Sequence, residues 1–319
     1  MRGVFLDWAT VSNNDVNDAP LHAVLDTLTL YPVTAQEQVA ERVNTAQVIL
    51  TNKLRIDETV INAAKDLQLI CLSATGFDNV AIEAARARGI AVTNIRDYCT
   101  AAVAQHVFAL ILSLNQHLTA YQQLLAAGDW RRSPQFTLLD FPITELAGKT
   151  LGIVGYGTLG KAVAKLGEAF GMNVVLARRP GDENDTRPGR FSLATLIKEA
   201  DVLSLHCPLT PATQQMIGVT ELAAMKSNAI LINTARGALV DESALANALR
   251  EKQIGGAGVD VLSQEPPVNG NPLLADDIPN LIVTPHIAWA TQQARQRAVS
   301  EMAENIAAFK RGENRNRVD

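Results

Sequence analysis

The chain has 319 residues, too many for one ordinary compact domain and well suited to two. Apolar residues make up 47% and charged residues 19%, with Gly and Pro dispersed, which excludes a fibrous or largely disordered chain. A net charge of -5 without an Arg/Lys run excludes the electrostatic footprint of a nucleic-acid or anionic-lipid binder, so neither partner is expected.

The first segment, Met1-Arg2-Gly3-Val4-Phe5-Leu6-Asp7, meets an acid after three apolar residues, so it reads as a strand and not as the apolar region of a signal peptide. Further strand-like runs cover 27–30, 48–51, 69–73 and 90–93. Helical patterns lie between them at 34–44, where Thr34 and Glu37 have capping-box spacing, at 58–65, and at 79–88 ahead of Gly89. Such alternation implies a parallel sheet with helices on both faces.

A long helical pattern follows over 101–127, broken by Gly128-Asp129. Its apolar core, 107–114, is too short to span a bilayer and reads as a helix buried between lobes. The same β–α rhythm then resumes, with strands at 150–154, 173–177, 202–205, 229–233, 258–261 and 281–284 and helices at 159–170, 193–199 and 242–250. Six strands in this rhythm fit a doubly wound nucleotide-binding fold. The expected fold class is therefore α/β, with two Rossmann-like doubly wound parallel-sheet lobes and a cleft between them. A last helix at 291–309 comes after the second lobe, and the polar segment 310–319 reads as frayed. Cys71, Cys99 and Cys207 are odd in number and widely spaced, without metal-ligand spacing. They suit a reducing, cytoplasmic compartment, read as small buried apolar residues, and imply no metal site.

The run Leu151-Gly152-Ile153-Val154-Gly155-Tyr156-Gly157-Thr158-Leu159-Gly160 places G-x-G-x-x-G between an apolar strand and an amphipathic helix, the context a pyrophosphate loop requires. Gly155 permits the turn, Gly157 the approach of a phosphate and Gly160 the helix–strand packing, while the helix N-terminus offers free N–H groups. NAD-specific sites end the next strand in an acid for the ribose 2′-hydroxyl. Here 173–177 runs into Arg178-Arg179, with the first acids later at Asp182 and Glu183. Guanidinium groups grip a 2′-phosphate, so NADP is the expected cofactor, with NAD the alternative.

Three segments end strands of the second lobe, where open α/β sheets place ligands. They are Asn233-Thr234-Ala235-Arg236-Gly237, Asp260-Val261-Leu262-Ser263-Gln264-Glu265-Pro266-Pro267 and Thr284-Pro285-His286-Ile287. Hydride transfer to a 2-oxo acid needs a cation for the carboxylate and ketone, and a proton donor active near neutrality. Arg236 fits the first role and His286 the second, with Glu265 orienting the ring and favouring its charged form. His22, His106 and His117 fall in or near helical patterns and read as structural. His206, in Leu205-His206-Cys207-Pro208-Leu209-Thr210, reads as a wall of the adenine or ribose site.

With Leu151–Gly160, Leu205–Thr210, Asn233–Asp241, Val259–Pro267 and Thr284–Ala290 in this order, the chain resembles the D-isomer-specific 2-hydroxyacid dehydrogenases over its whole length. The resemblance implies a substrate-binding lobe at 1–98, a dinucleotide-binding lobe at 99–287, and a C-terminal helix at 288–319 that returns to the first lobe. It further implies a homodimer formed largely through the nucleotide lobes. It supports the roles of Arg236, Glu265 and His286 and adds Ala74-Thr75-Gly76 as the turn receiving the substrate carboxylate. By the same resemblance, Asn233, Thr234, Ala235, Arg236, Asp260, His286, Ala288, Cys207, Pro208, Leu209, Thr210 and Thr213 line the nicotinamide and ribose. Val103-Ala104-Gln105 has Gln where the family usually has Glu. The stretch 129–141 and the run His286-Ile287-Ala288-Trp289-Ala290 are similar to the glycerate dehydrogenase, or hydroxypyruvate/glyoxylate reductase, branch. Glu265 argues against formate dehydrogenase, whose pattern pairs the His with Gln, and the chain ends without the regulatory domain common in phosphoglycerate dehydrogenase. The expected activity is NADP-dependent reduction of a small 2-oxo acid. The alternatives are an NAD-preferring D-glycerate or other D-2-hydroxyacid dehydrogenase and a nucleotide-sensing interaction protein of the same fold.

Overall fold

The structure is a computed structural model that describes residues 1–181, 185 and 187–319. It divides into two compact units, Met1–Cys99 with Trp289–Asp319, and Thr100–Ala288.

In the first unit, β1 (Arg2–Phe5), β2 (Thr27–Leu30), β3 (Val48–Thr51), β4 (Leu69–Leu72) and β5 (Ala91–Thr93) form a wholly parallel sheet in the order β2-β1-β3-β4-β5. Strands β3 and β4 are buried at every position, as a parallel sheet covered on both faces demands. Short helices α1 (Ala19–Val24), α2 (Val39–Val43), α3 (Glu58–Ala63) and α4 (Ile82–Ala87) connect them. Asp57 caps α3 by accepting the Val60 N–H at 3.0 Å.

Two expectations in this unit are corrected. Thr34 does not cap a helix: its hydroxyl donates to the Leu6 carbonyl and accepts from Arg42, and the helix begins later, with Gln38 Oε1 taking the Ala35 N–H. The C-terminal segment is tied down, not frayed. Val318 N donates to Val92 O at 3.0 Å, the Asp319 carboxylate accepts the Val92 N–H at 2.8 Å, and Arg317 pairs with Thr93 in an antiparallel bridge. Strand β5 is an edge with unpaired backbone groups, and these polar residues satisfy them.

In the second unit the predicted long helix is two, α5 (Thr100–Asn115) and α6 (Leu118–Ala127), because His117 adopts a left-handed φ of 49° and stacks on Phe141. A short α7 (Asp129–Arg132) follows the left-handed Gly128. Then come β6 (Thr150–Val154), α8 (Thr158–Ala169), β7 (Asn173–Ala177), β8 (Arg190–Phe191), α9 (Leu193–Glu199), β9 (Val202–Leu205), α10 (Val219–Ala224), β10 (Ile230–Asn233), α11 (Glu242–Arg250), β11 (Gly256–Val259) and β12 (Leu281–Val283). The seven strands are all parallel, in the order β12-β11-β10-β9-β6-β7-β8, so the connections reverse direction between β6 and β9. Strand β8 was not predicted, and β11 begins and ends two residues earlier than expected, which puts Asp260 beyond the strand. The apolar face of α5 is buried inside this unit, against α8, β10, β11 and β12. The last helix, α12 (Gln292–Lys310), is capped by the Thr291 hydroxyl and packs in the first unit on α1 and β4.

Candidate active site

Register fixes the geometry of the second unit's sheet edge. Val154, Leu205, Asn233, Val259 and Val283 are partners across adjacent parallel strands and form one row. The next residues, Gly155, His206, Thr234, Asp260 and Thr284, therefore leave the sheet side by side at its carboxyl edge, where doubly wound sheets bind ligands.

The glycine loop crosses that edge tightly. Gly155 has φ 96°, and a Cβ there would lie 2.6 Å from the Cys207 backbone nitrogen. A Cβ on Gly160 would lie 2.1 Å from the Gly155 carbonyl oxygen, so α8 can start this close to β6 only with glycine at both positions. At Gly157 a Cβ would meet nothing within 4 Å: the loop faces open space there. Among the described residues no side chain caps α8, so the N–H groups of Thr158, Leu159 and Gly160 open toward that space. The Tyr156 ring carries the Arg190 guanidinium at 5.1 Å and the Lys161 ammonium at 5.9 Å.

Beside the loop, Arg178 and Arg179 are exposed at the end of β7 and help line a cavity of about 320 Å³ with Val154, Ala177, Leu193 and Met216. Asp182 and Glu183 lie outside the described residues. Sequence reasoning missed the buried Asp185, whose carboxylate accepts the Arg179 N–H at 2.7 Å and pairs with Arg187 at 2.6 Å. The Arg187 guanidinium holds that carboxyl well below its usual range. Asp185 thus fastens the arginine loop to itself.

At the end of β9, His206 Nε2 lies 2.9 Å from the Ser204 hydroxyl, while Nδ1 is buried with no hydrogen-bond partner among the described residues. Burial lowers the His206 pKa to about 4, so the ring is neutral near pH 7. Cys207 is buried, and desolvation pushes its thiol up to about 11. Thr213 staples the loop: its hydroxyl donates to Pro208 O at 2.8 Å and accepts the Thr210 N–H at 2.7 Å.

The three remaining segments carry the charged groups. After β10 the buried Asn233 side chain accepts the Ala235 N–H at 3.1 Å and donates to Arg236 O at 2.9 Å, which presents Arg236 from a fixed loop. Arg236 itself donates to Ala235 O at 2.7 Å. The Gly237 backbone lies against the next segment, since a Cβ would sit 2.0 Å from the Leu262 carbonyl carbon. Glu242 accepts the Ser263 N–H at 2.7 Å and hydroxyl at 2.6 Å, anchoring that segment from α11. The Glu265 carboxylate accepts the Leu262 N–H through Oε1 at 2.8 Å and faces His286 Nδ1 through Oε2 at 2.6 Å. An ionised carboxylate only accepts, so Nδ1 carries the proton and Nε2 is left for chemistry.

Asp260 stands at the same sheet edge, just beyond β11. It is 1% exposed, and its carboxylate accepts the Ile287 N–H at 2.9 Å, the Ala288 N–H at 2.8 Å and the Thr284 hydroxyl. These bonds fix the turn that carries His286. Sequence reasoning did not single out the Thr284 hydroxyl, and it read His106, whose Nε2 lies 3.0 Å from that hydroxyl, as structural. His106 shares a helix face with Leu110, which packs on Gly258, so a polar residue on an apolar face was the available signal. Ala74, Thr75 and Gly76 belong to the first unit. There the Thr75 hydroxyl donates to Ile95 O at 2.9 Å, and the Thr75 carbonyl accepts from Asn94 Nδ2 at 2.8 Å.

The edge fits a dinucleotide. Open space at Gly157, the uncapped N–H groups at the start of α8, and the buried polar atoms His206 Nδ1 and Thr234 Oγ1, which have no hydrogen-bond partner among the described residues, are groups that a bound nucleotide would occupy or satisfy. Among the described residues no group of three His, Cys, Asp or Glu is placed to hold a metal ion. No helix among them is long and apolar enough to cross a membrane.

Fold and site together define a dinucleotide-dependent oxidoreductase in which a paired His286 and Glu265 stand at the nucleotide-binding edge. The family described as D-isomer specific 2-hydroxyacid dehydrogenase, NAD binding domain, matches residues 108–288. The glycerate dehydrogenase of Methylorubrum extorquens is 46% identical over 285 residues, covering 89% of this chain and 88% of that protein. The glyoxylate reductase of Thermococcus litoralis is 41% identical, covering 87% and 83%. A crystal structure of a protein from Thermus thermophilus superposes with a TM-score of 0.88 at 38% identity, covering 100% of both chains. The chain belongs to the D-isomer-specific 2-hydroxyacid dehydrogenases, NAD(P)-dependent oxidoreductases of small 2-hydroxy and 2-oxo acids.

Proposed function

We propose that this enzyme reduces hydroxypyruvate or glyoxylate to the 2-hydroxy acid, the D isomer where the product is chiral, with NADPH as preferred reductant. The observation that carries the reading is the His286–Glu265 pair, 2.6 Å apart, on the same sheet edge as the glycine loop. When bound, the nicotinamide supplies the hydride. His286 Nε2 delivers a proton to the carbonyl oxygen, and Glu265 holds the ring and balances the imidazolium charge. Arg236 binds the carboxylate and draws electron density from the ketone. Addition at C2 and protonation at oxygen convert the carbonyl to the alcohol, and His286 regains its proton from water. In this reading Ala74, Thr75 and Gly76 also receive the substrate carboxylate. The nucleotide loop and the residues after β9 and β10, including Cys207, Pro208, Thr213, Thr234 and Ala235, shape the cofactor site, as do Asp260 and Ala288 through the turn they fix.

The cofactor preference rests on Arg178 and Arg179, exposed beside the cavity at the end of β7. The substrate assignment rests on the relatives that act on glycerate or glyoxylate. A homodimer formed through the nucleotide units and a cytoplasmic location complete the reading. Initial rates with NADPH and NADH against glyoxylate, hydroxypyruvate, pyruvate and phenylpyruvate test it. Turnover of the two smaller polar acids with NADPH should dominate the matrix, and a preference for phenylpyruvate or for NADH would remove the corresponding half of the proposal.

A further inference from the structure

His286 sits at φ 56°, a left-handed conformation that disfavours any residue with a Cβ and persists only where the surroundings over-determine it. The His286 ring is held by Glu265, and its N–H is shared between the Thr284 carbonyl at 2.9 Å and Asp260, on which the turn's other backbone bonds converge. The Asp260 carbonyl accepts the His286 N–H at 2.8 Å, and its two carboxylate oxygens take the next two backbone N–H groups, of Ile287 and Ala288. A carboxylate 1% exposed needs every lone pair engaged, because an unpaired buried charge is strongly unfavourable. Among the described residues its basic neighbour within 4 Å is His106, with Nε2 at 3.5 Å.

The link between the two runs through Thr284. Its hydroxyl has one proton, and the ionised Asp260 carboxylate can only accept, so that proton points to Asp260 Oδ1. The hydroxyl oxygen must then accept from His106 at 3.0 Å, which places the His106 proton on Nε2. The chain His106 N–H to Thr284 O–H to Asp260 is therefore uniformly oriented, and it ends on the carboxylate that shapes the His286 turn. His106 is held in turn by α5, whose Leu110 packs against β11, and so delivers its proton from a rigid element.

We propose that His106 is a positioning residue for the reaction: by way of Thr284 it orients the Asp260 carboxylate and so fixes the turn that aims His286. The proposal rests on the reading of His286 as the acid–base group. The test compares His106→Leu and His106→Gln in the full-length enzyme, with His286→Ala as reference. Glutamine can place an N–H where Nε2 lies; leucine fills the space without a donor.

His106→Leu should lower kcat for hydroxypyruvate about 10-fold, as small misplacements of a catalytic group do, with KM and the NADPH dissociation constant moving less than about twofold. His106→Gln should restore kcat to within about threefold. Amide exchange at Ile287 and Ala288 should quicken in the leucine variant, and long-range proton–nitrogen NMR should show the Nε2–H tautomer of His106 in the wild type. A wild-type kcat in His106→Leu, equal losses in both variants, or an Nδ1–H tautomer would overturn the proposal while an inactive His286→Ala upheld the acid–base reading. A His286→Ala variant with wild-type kcat would instead sink that reading and the proposal together.

Discussion

The carboxylate of Glu265 is shared between two groups: Oε1 takes the Leu262 N–H at 2.8 Å, and Oε2 meets His286 Nδ1 at 2.6 Å. The backbone bond holds the carboxylate in place while the second oxygen faces the ring, so charge and orientation come from one residue. The pair is only partly shielded, with side-chain exposures of 28% for His286 and 34% for Glu265, which leaves the ring accessible to a substrate.

Replacing that charge tests the pairing. Glu265→Gln keeps a hydrogen-bonding side chain of similar shape without the charge. In the proposed mechanism Glu265 orients the ring through Nδ1, so Glu265→Gln should lower kcat in both directions at least about 10-fold with NADPH affinity nearly intact. Steady-state rates in both directions and a cofactor titration check this. A wild-type kcat would uncouple Glu265 from the acid–base step.

The arginines at the end of β7 should matter for one cofactor only. Arg178→Ala with Arg179→Ala should lower kcat/KM for NADPH roughly 10- to 100-fold, the loss expected for charge-assisted hydrogen bonds, and change NADH by less than about threefold. Parallel titrations of the two cofactors decide it. Equal losses would mean that the arginines stabilise the loop and do not read the 2′-phosphate.

Arg236 is presented by a loop that the buried Asn233 side chain ties at both ends. Lysine cannot reproduce a planar two-pronged contact, so Arg236→Lys should cost at least about 10-fold in kcat/KM for the oxo acid, seen in both terms. Cofactor affinity, measured by quenching of protein fluorescence, should hold. A loss confined to cofactor binding would move Arg236 out of the substrate site.

His206 makes a prediction about stability. Its pKa falls from 6.5 to about 4 on folding because the ring is desolvated. The unfolded chain therefore binds a proton that the folded chain refuses, and stability should fall as pH drops from about 6.5 toward about 4. In His206→Asn this part of the acid sensitivity disappears, so the denaturation midpoint should depend less steeply on pH in that window. The same slope in both proteins would show that the ring is charged, or exposed, in the native state.

Much of the fold is legible from the chain alone. Strands β2, β3, β6, β7 and β9 lie where the apolar runs put them, and the glycine run opens α8, because propensity, period and turn chemistry act over a few neighbouring residues. The motif segments after β10, β11 and β12 are readable for the same reason. What they do to one another is not. The carboxylate of Asp260 takes backbone N–H groups 27 and 28 residues further on, which reach it only once β11 and β12 pair in register. His106 looks like a structural helix residue, and its partner Thr284 is 178 residues away. The C-terminal segment looks frayed because it is polar, and its partners are on β5. The left-handed turn at His117 is marked in the sequence only by Asn115 and His117, weak helix formers inside an otherwise continuous helical pattern. Local chemistry determines which elements form and which side chains stand at their ends; sheet register and helix packing decide which of those side chains meet, because only they bring distant backbone and charge within hydrogen-bond reach.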